Sequence, residues 1–298
     1  MNIKSFPIPV VGIGPGSQPA DPDLQFMPLP RDLEGFDMPY LPTANEVSHL
    51  AAGKAVIAEL IAAMRNQIDS ERYPVLSLQA LDSANRQLIN QLLGEGEVSA
   101  LVRAAHGGEI RIQESVFAGV WRVLELDTAD RVIDDRIEVC PIPACVWQTA
   151  RATGAAQLTR PDTQGVPLMN ALPVVEEIAE QMRPNTPRAD DQPHIINFSL
   201  LPMSPDDLAY IDAVLGAGYA GVFSRGYGKC RVMATRLRDV WRVQYFNGMN
   251  GILLDTLEIT RIPEVTLASA EDLDDSLTRL EEAWAWLNEQ DEASDVTL

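Results

Sequence analysis

The chain has 298 residues, of which 43 are acidic and 23 basic, so its formal net charge at pH 7 is −20. Such a surface repels a phosphate backbone, which excludes nucleic-acid binding. No apolar run approaches the roughly 20 residues that cross a bilayer, and the first residues lack the pattern of a secretory signal. We therefore expect a cytoplasmic protein without membrane insertion, whose charge serves solubility or steers basic partners.

The first 42 residues are rich in Pro and Gly and predict an extended segment. Residues 11–17 contain closely spaced glycines, but the third glycine of a dinucleotide loop is misplaced and Gln18-Pro19 stands where a helix would open. A helix is predicted from Thr43, because Thr43 and Glu46 form a capping box before apolar residues at helical spacing.

The next part of the chain predicts a strand, a helix and then four strands joined by short turns. The strands are expected at residues 75–78, 98–102, 110–115, 120–126 and 133–139, and the helix at 82–92. Turns this short favour antiparallel pairing.

A helical connector is predicted at residues 173–182, followed by a polar linker at 184–193. A strand at 195–200 and a helix at 205–215 then resemble the earlier strand and helix, with Ser204 as the N-cap. Near the end, a stripe of leucines and Trp284 marks one face of an acidic helix.

An internal repeat is the most informative feature of the sequence. A shift of 120 residues aligns 106–146 with 226–266 without a gap, and a shift of 122 extends the match upstream. The difference of two residues is placed in the turn at 105–108. Identical pairs include Arg111/Arg231, Trp121/Trp241, Arg122/Arg242, Asp135/Asp255 and Glu138/Glu258, and upstream Ser77/Ser199, Leu78/Leu200, Gly94/Gly216 and Arg103/Arg225.

The sequence therefore predicts an α+β fold with two copies of a related module, each an antiparallel sheet backed by a helix, and with extra N-terminal, connector and C-terminal helices. The expected segments are 1–42 (extended), 43–146 (first module with its leading helix), 147–193 (connector and linker), 194–268 (second module) and 269–298 (acidic helix and tail).

Motifs for catalysis or cofactor binding are not found in the sequence. The three histidines lie near no nucleophile motif, and no Walker loop, G-x-S-x-G or H-E-x-x-H is present. Cys140, Cys145 and Cys230 predict buried structural thiols rather than a metal site, since tetrahedral sites usually use four ligands. We expect no enzyme activity, no cofactor and no bound metal.

Residues shared by the two copies are interpreted as scaffold: Trp121 and Trp241 as core, and the repeated acids Asp135 and Glu138 as a turn and a strand position. Residues that differ at equivalent positions are candidates for partner binding, with drift of loop residues as the alternative. The candidates are Glu95 and Glu97, the second-copy residue Tyr219, and Arg225 and Tyr227 of the aromatic and basic loop 225–229, together with Glu281 and Glu282 of the acidic helix.

Several segments in order resemble one family over nearly the whole chain. They are GPGSQP (14–19), LLGEGEVS (92–99), IQESVFAGVWRV (112–123), LMNALP (168–173), INFSLLPMS (196–204), RGYGKC (225–230), VWRV (240–243) and IPEV (262–265). The chain resembles the HyaF/HupH/HoxQ hydrogenase expression/formation proteins.

The resemblance implies a cytoplasmic accessory factor for membrane-bound [NiFe] hydrogenases. It implies action on the iron–sulfur small subunit before export by its twin-arginine signal peptide, alongside a thioredoxin-like hydrogenase accessory protein. It supplies no catalytic residues. The alternative is a metal- or cluster-handling factor that uses the three cysteines, although four thiolates are typical of a cluster. Homo-oligomer formation stays open.

Overall fold

The computed structural model of the chain describes residues 18–19, 47–66, 73–163, 167–183, 192–225 and 228–294, with only the backbone for 18–19 and 289–294. The described helices are α1 (Ala51–Asn66), α2 (Ser83–Leu93), α3 (Ala144–Thr153), α4 (Ala171–Gln181), α5 (Pro205–Leu215) and α6 (Ala270–Ser294). Two short 3-10 helices lie at Phe198–Leu200 and Glu264–Thr266. The predicted helix start at Thr43 lies outside the described residues.

The strands form one large antiparallel sheet. They are β1 (Gln18–Pro19), β2 (Val75–Ser77), β3 (Val98–Arg103), β4 (Glu109–Glu114), β5 (Val120–Leu126), β6 (Val132–Val139), β7 (His194–Asn197), β8 (Ala217–Ser224), β9 (Lys229–Thr235), β10 (Val240–Phe246) and β11 (Gly251–Ile259). Their order is β1-β11-β10-β9-β8-β3-β4-β5-β6-β2, and β7 also pairs with β11.

Each half of this sheet has the same strand order, which confirms the predicted α+β fold with two related modules. From the centre outward, the first half runs β3-β4-β5-β6-β2 and the second runs β8-β9-β10-β11-β7. Trp121 on β5 and Trp241 on β10 occupy equivalent strands, and each is only 1% exposed. The first module comprises α1 to β6, and the second comprises α4 to β11.

The two modules join through the pair β3–β8, and this pairing is symmetric. Val98 pairs with Ser224, Val102 pairs with Ala220, and Ala100 lies opposite Val222. With the 122-residue shift, Ala220 is the equivalent of Val98 and Ser224 the equivalent of Val102. The ladder therefore contains a pseudo-two-fold axis between Ala100 and Val222, as in an isologous dimer interface.

The outer strands correct one part of the sequence alignment. Val75 pairs with Glu138 and Ile195 pairs with Glu258, so these strands are related by a shift of 120. The alignment of Leu78 with Leu200 is therefore wrong, and their exposures of 0% and 79% agree with that. The two extra residues of the second module lie between β7 and α5, where the 3-10 helix follows the strand.

Apolar side chains alternate between the two faces of the sheet because successive strand residues point to opposite sides. On one face, α1, α2 and α6 cover the first module, whereas α4 and α5 cover the second. On the opposite face, α3 packs over a core shared by both modules, and this core contains both tryptophans.

Two helices break the symmetry by crossing between modules. Helix α3 follows β6 but packs on both central strands, and Ala155 just beyond it pairs with Leu237 of the second module. Helix α6 follows the second module but buries Leu280 and Leu287 in the core of the first. Each module is therefore completed by a segment that the repeat does not duplicate.

A buried ion pair recurs in both modules and ties two strands to a helix. Arg242 on β10 donates to both carboxylate oxygens of Asp255 on β11, at 3.0 and 2.7 Å, and contacts Asp212 of α5. Arg122 in the first module does the same with Asp135, at 2.5 and 2.8 Å, and donates to Asn90 of α2. The prediction that Asp135 occupies a turn is wrong, because it is buried in β6.

A second recurring contact joins the helix pairs. The Asp207 carboxylate of α5 accepts from the backbone N–H groups of Met169, Asn170 and Ala171 at 2.8 to 3.0 Å, where α4 begins. Asn85 of α2 accepts from Gly53 of α1 at 2.7 Å in the equivalent place. Burial alone would raise the pKa of Asp207, but these hydrogen bonds and those from Ser204 outweigh it and hold the pKa well below its ordinary value.

We expect Asp207→Asn to lower the free energy of unfolding by about 1 to 3 kcal/mol at neutral pH, because the N–H groups lose a charged acceptor. A depressed pKa contributes stability above the unfolded-state pKa, and that stability is lost as pH falls. The difference between wild type and variant should therefore shrink below about pH 4. Urea unfolding across pH measures this. Thr235→Val is the control, because the buried Thr235 hydroxyl bonds to backbone groups of Val240 and Leu237, and its effect should stay constant with pH. A constant Asp207 difference contradicts the assignment.

Candidate partner-binding surface

The symmetric strand pair β3–β8 places the predicted binding residues at two opposite ends. Glu97 precedes β3 and Tyr219 is its equivalent on β8, whereas Arg103 ends β3 and Arg225 is its equivalent after β8. Because the pair is antiparallel, Arg225 lies beside Glu97 at one end. Tyr219 and Arg103 lie together at the other end.

The segment from Gly94 to Glu97 is held tightly against the neighbouring strands. Gly94 has a φ of 54°, and a Cβ atom on Gly96 would lie 2.2 Å from a backbone oxygen of the first module. The Gly96 N–H donates to the Glu114 carbonyl at 2.7 Å, and the Arg225 N–H donates to the Glu97 carbonyl at 2.9 Å. The backbone is thus fixed, while the Glu95 and Glu97 side chains are exposed.

A buried carboxylate lies beneath this segment. The Glu114 side chain on β4 accepts from the Gly119 N–H at 3.1 Å, and its residue is only 8% exposed. Burial raises the pKa of Glu114 to about 7, with the Gly119 hydrogen bond opposing and the charges of Asp272 and Glu97 adding to the rise. We call Glu95, Glu97, Glu114 and Asp272 the acidic end of the molecule.

Helix α6 begins at the acidic end. Ser269 caps it by accepting from the Asp272 N–H at 3.1 Å, and a Cβ on Gly119 would collide with Leu273. Farther along α6, the two predicted residues have different surroundings. Glu281 pairs with Arg65 of α1 at 2.7 Å, whereas Glu282 is exposed.

The opposite end contains a groove of about 650 Å³. Arg103 and Tyr219 line it together with the turns after β3 and β5 and the last turn of α3. Tyr219 is 44% exposed. Thus Glu95, Glu97 and Arg225 meet at the acidic end, Tyr219 lies at the other end, and Tyr227 lies outside the described residues.

Glu114 and Asp272 are functional candidates that the sequence comparison missed. Glu114 aligns with Ala234, so a difference between copies did mark it. The difference was not recognised as a candidate because the rest of the strand matches the second copy. Asp272 has no counterpart in the other copy, since α6 is not duplicated, and only the fold brings it near Glu97.

The three cysteines lie in or against the core between the sheet and α3. Cys140 and Cys230 are buried and Cys145 is half-buried. Burial raises the pKa of Cys145 to about 12 and that of Cys230 to about 11, so all three favour the neutral thiol. Among the described residues, no group of three or more His, Cys, Asp or Glu side chains is arranged to hold a metal ion.

None of the described helices combines the length and the apolar composition that a membrane span requires.

Comparison with known proteins identifies the family. The family described as "HupH hydrogenase expression protein, C-terminal conserved region" matches this chain twice, at residues 50–158 and 168–287. The chain belongs to this family. Each matched region contains one module, with α3 at the end of the first region and most of α6 at the end of the second.

Curated relatives match over most of the chain. The hydrogenase expression/formation protein HoxQ of Cupriavidus necator is 40% identical over 290 residues, covering 96% of this chain and 99% of its own. The hydrogenase expression/formation protein HupH of Rhizobium leguminosarum bv. viciae is 46% identical over 200 residues, covering 67% and 70%. The hydrogenase-1 operon protein HyaF of Escherichia coli is 35% identical over 284 residues, covering 93% and 96%. These matches confirm the resemblance inferred from the sequence.

We expect Glu114→Gln to stabilise the protein above pH 7 relative to wild type. A carboxyl whose pKa is raised stabilises the fold fully below the unfolded-state pKa, and that contribution is lost as pH rises to about 7. Melting temperatures from pH 5 to 8 should fall with rising pH more steeply in wild type than in the variant. Parallel curves would show that Glu114 does not titrate in this range.

Proposed function

We propose that this protein is a non-catalytic accessory factor for assembly of a [NiFe] uptake hydrogenase in the cytoplasm. In this proposal it binds the iron–sulfur small subunit before twin-arginine export. The family membership and the names of the relatives, which are hydrogenase expression/formation proteins, support the hydrogenase-related role. The acidic end supports the binding step.

The observation that carries the proposal is the exposure of carboxylates on a rigid support. Glu95 and Glu97 project from a backbone that is fixed by Gly96 and Arg225, so presenting them costs little conformational entropy. A twin-arginine signal is basic at its start and apolar afterwards. On α6, Glu282 lies one turn from Trp286, which is 49% exposed, so an acid and an aromatic side chain occur together.

Long-range attraction would accelerate the encounter, because the whole chain carries a net charge of −20. Apolar contacts would provide most of the lasting affinity, since exposed ion pairs contribute little once formed. A thioredoxin-like hydrogenase accessory protein is proposed as a companion in the same step, and homo-oligomer formation stays a prediction.

The alternative function is handling of a metal or an iron–sulfur cluster through the three cysteines. It is the weaker candidate, because thiolates are the ligands and burial favours the neutral thiols here. Elemental analysis of purified protein separates the two functions: about one iron or zinc per chain, lost in Cys145→Ala, would favour metal handling.

We expect Glu95→Gln/Glu97→Gln to slow association with the tagged small subunit about threefold at low salt, with little change in dissociation. The loss should vanish near 1 M salt, where the Debye length is about 3 Å. Stopped-flow kinetics measures both rate constants.

The matched control is Asp206→Asn/Glu264→Gln, which removes one exposed charge from α5 and one from the 3-10 helix after β11. It should change association less than the test pair does. A small subunit without its signal peptide should associate more slowly. If removal of the signal peptide changes neither rate constant nor their salt dependence, capture of the signal peptide is wrong.

A further inference from the structure

Together, the β8–β9 and β10–β11 connections of the second module carry positive charge, whereas the chain as a whole is negative. In the first module, the equivalent turns hold four carboxylates at Glu109, Glu125, Asp127 and Asp130. The 120-residue shift replaces them with Lys229, Tyr245, Asn247 and Asn250. The basic residues at two matching positions are kept, as Arg103/Arg225 and Arg111/Arg231.

This exchange removes the acid partners of one arginine. Arg111 contacts Glu109, and its Nη2 atom lies 3.8 Å from an Asp130 oxygen. At the equivalent place, Arg231 stands beside Lys229, and the Lys229 ammonium donates to the neutral Asn250 side chain at 2.9 Å. Among the described residues, no carboxylate pairs with Arg231.

Arg231 is nevertheless half-buried. Its guanidinium lies 5.3 Å from the centre of the Phe246 ring, and burial lowers the pKa of Arg231 without an opposing acid. A cation that has lost part of its hydration and lacks a counter-charge is stabilised when an anion binds. Strand alternation puts Lys229, Arg231 and Phe246 on the same face, and Lys229 is directly paired with Phe246.

We propose that Lys229, Arg231 and Phe246, here called the basic tip, bind a carboxylate-rich segment of a partner protein. The two cations provide charge-assisted hydrogen bonds, and the Phe246 ring, which is only 9% exposed, packs against the Arg231 guanidinium and holds it in place. The exposed Met249, at 85%, lies in the adjacent turn and provides the apolar contact. This surface lies at the same end of the sheet as Glu97, because Ser224 pairs with both Val98 and Cys230, and it does not depend on capture of a signal peptide.

Charge favours a different protein over a second copy as the source of the segment. A second copy would bring another net charge of −20 and would be repelled as a whole. In addition, Glu281 of its acidic helix α6 is already paired with Arg65. A partner with a smaller net charge and a local acidic segment would not be repelled as a whole, and its carboxylates would be available.

The test uses the full chain and a fluorescent peptide of alternating Glu and Leu, with a Gln/Leu peptide of the same length as control. Fluorescence anisotropy should show binding of the Glu peptide that weakens with salt, and none of the Gln peptide. Lys229→Gln/Arg231→Gln should weaken binding about tenfold or more.

The equivalent change in the first module, Arg111→Gln, should leave peptide binding unchanged, and Arg231→Lys should retain part of it. Circular dichroism melts check that each variant is folded, and the exposed Lys229→Gln alone should still weaken binding if the double variant unfolds. Equal binding of the two peptides, or an equal loss in Arg111→Gln, would overturn the proposal. So would sedimentation showing self-association that the basic-tip variants abolish, since that assigns the surface to a second copy.

Discussion

The antiparallel pairing of β3 with β8 is the contact on which the rest of the molecule depends. It joins two half-sheets into one, and its register around Ala100 and Val222 makes the halves symmetric. A shift of this register by one residue would turn the apolar faces of β3 and β8 away from their cores. The shared core under α3 and the positions of both candidate surfaces depend on that single ladder.

Within each half, charge and hydrogen bonding hold the helices in place. Arg122 and Arg242 each bridge two strands and reach a helix, and Asn85 and Asp207 each anchor the start of a preceding helix. The two modules therefore share the contacts that stabilise their fold, and they differ in residues that face solvent. The acidic end and the basic tip both arise from such differences.

Much of the fold could be predicted from the sequence because the repeat supplied two copies of each pattern. The two related modules, the antiparallel pairing across short turns, the buried tryptophans and most element bounds were predicted from the repeat, alternation and turn spacing. The alignment was wrong at Leu200. Identical residue types do not show that the second module has two extra residues after β7, where the 3-10 helix lies. Asp135 was misplaced because a buried acid in a strand makes sense only with Arg122 beside it.

The candidate surfaces were less predictable, because they depend on which segments meet. Glu97 and Arg225 lie far apart in sequence and come together only through the central ladder. Asp272 joins them through a helix without a duplicate. Pattern analysis of one chain detects differences between copies, but it does not show which of them share a surface.

Helix α6 determines when the core of the first module and the acidic end can form during synthesis. It is made after both modules, yet Leu280 and Leu287 complete the core of the first module. That module lacks part of its core until residues 280–287 have left the ribosome. The carboxylate of Asp272 likewise takes its place beside Glu114 only when α6 docks, so the acidic end is assembled after both modules have been synthesised.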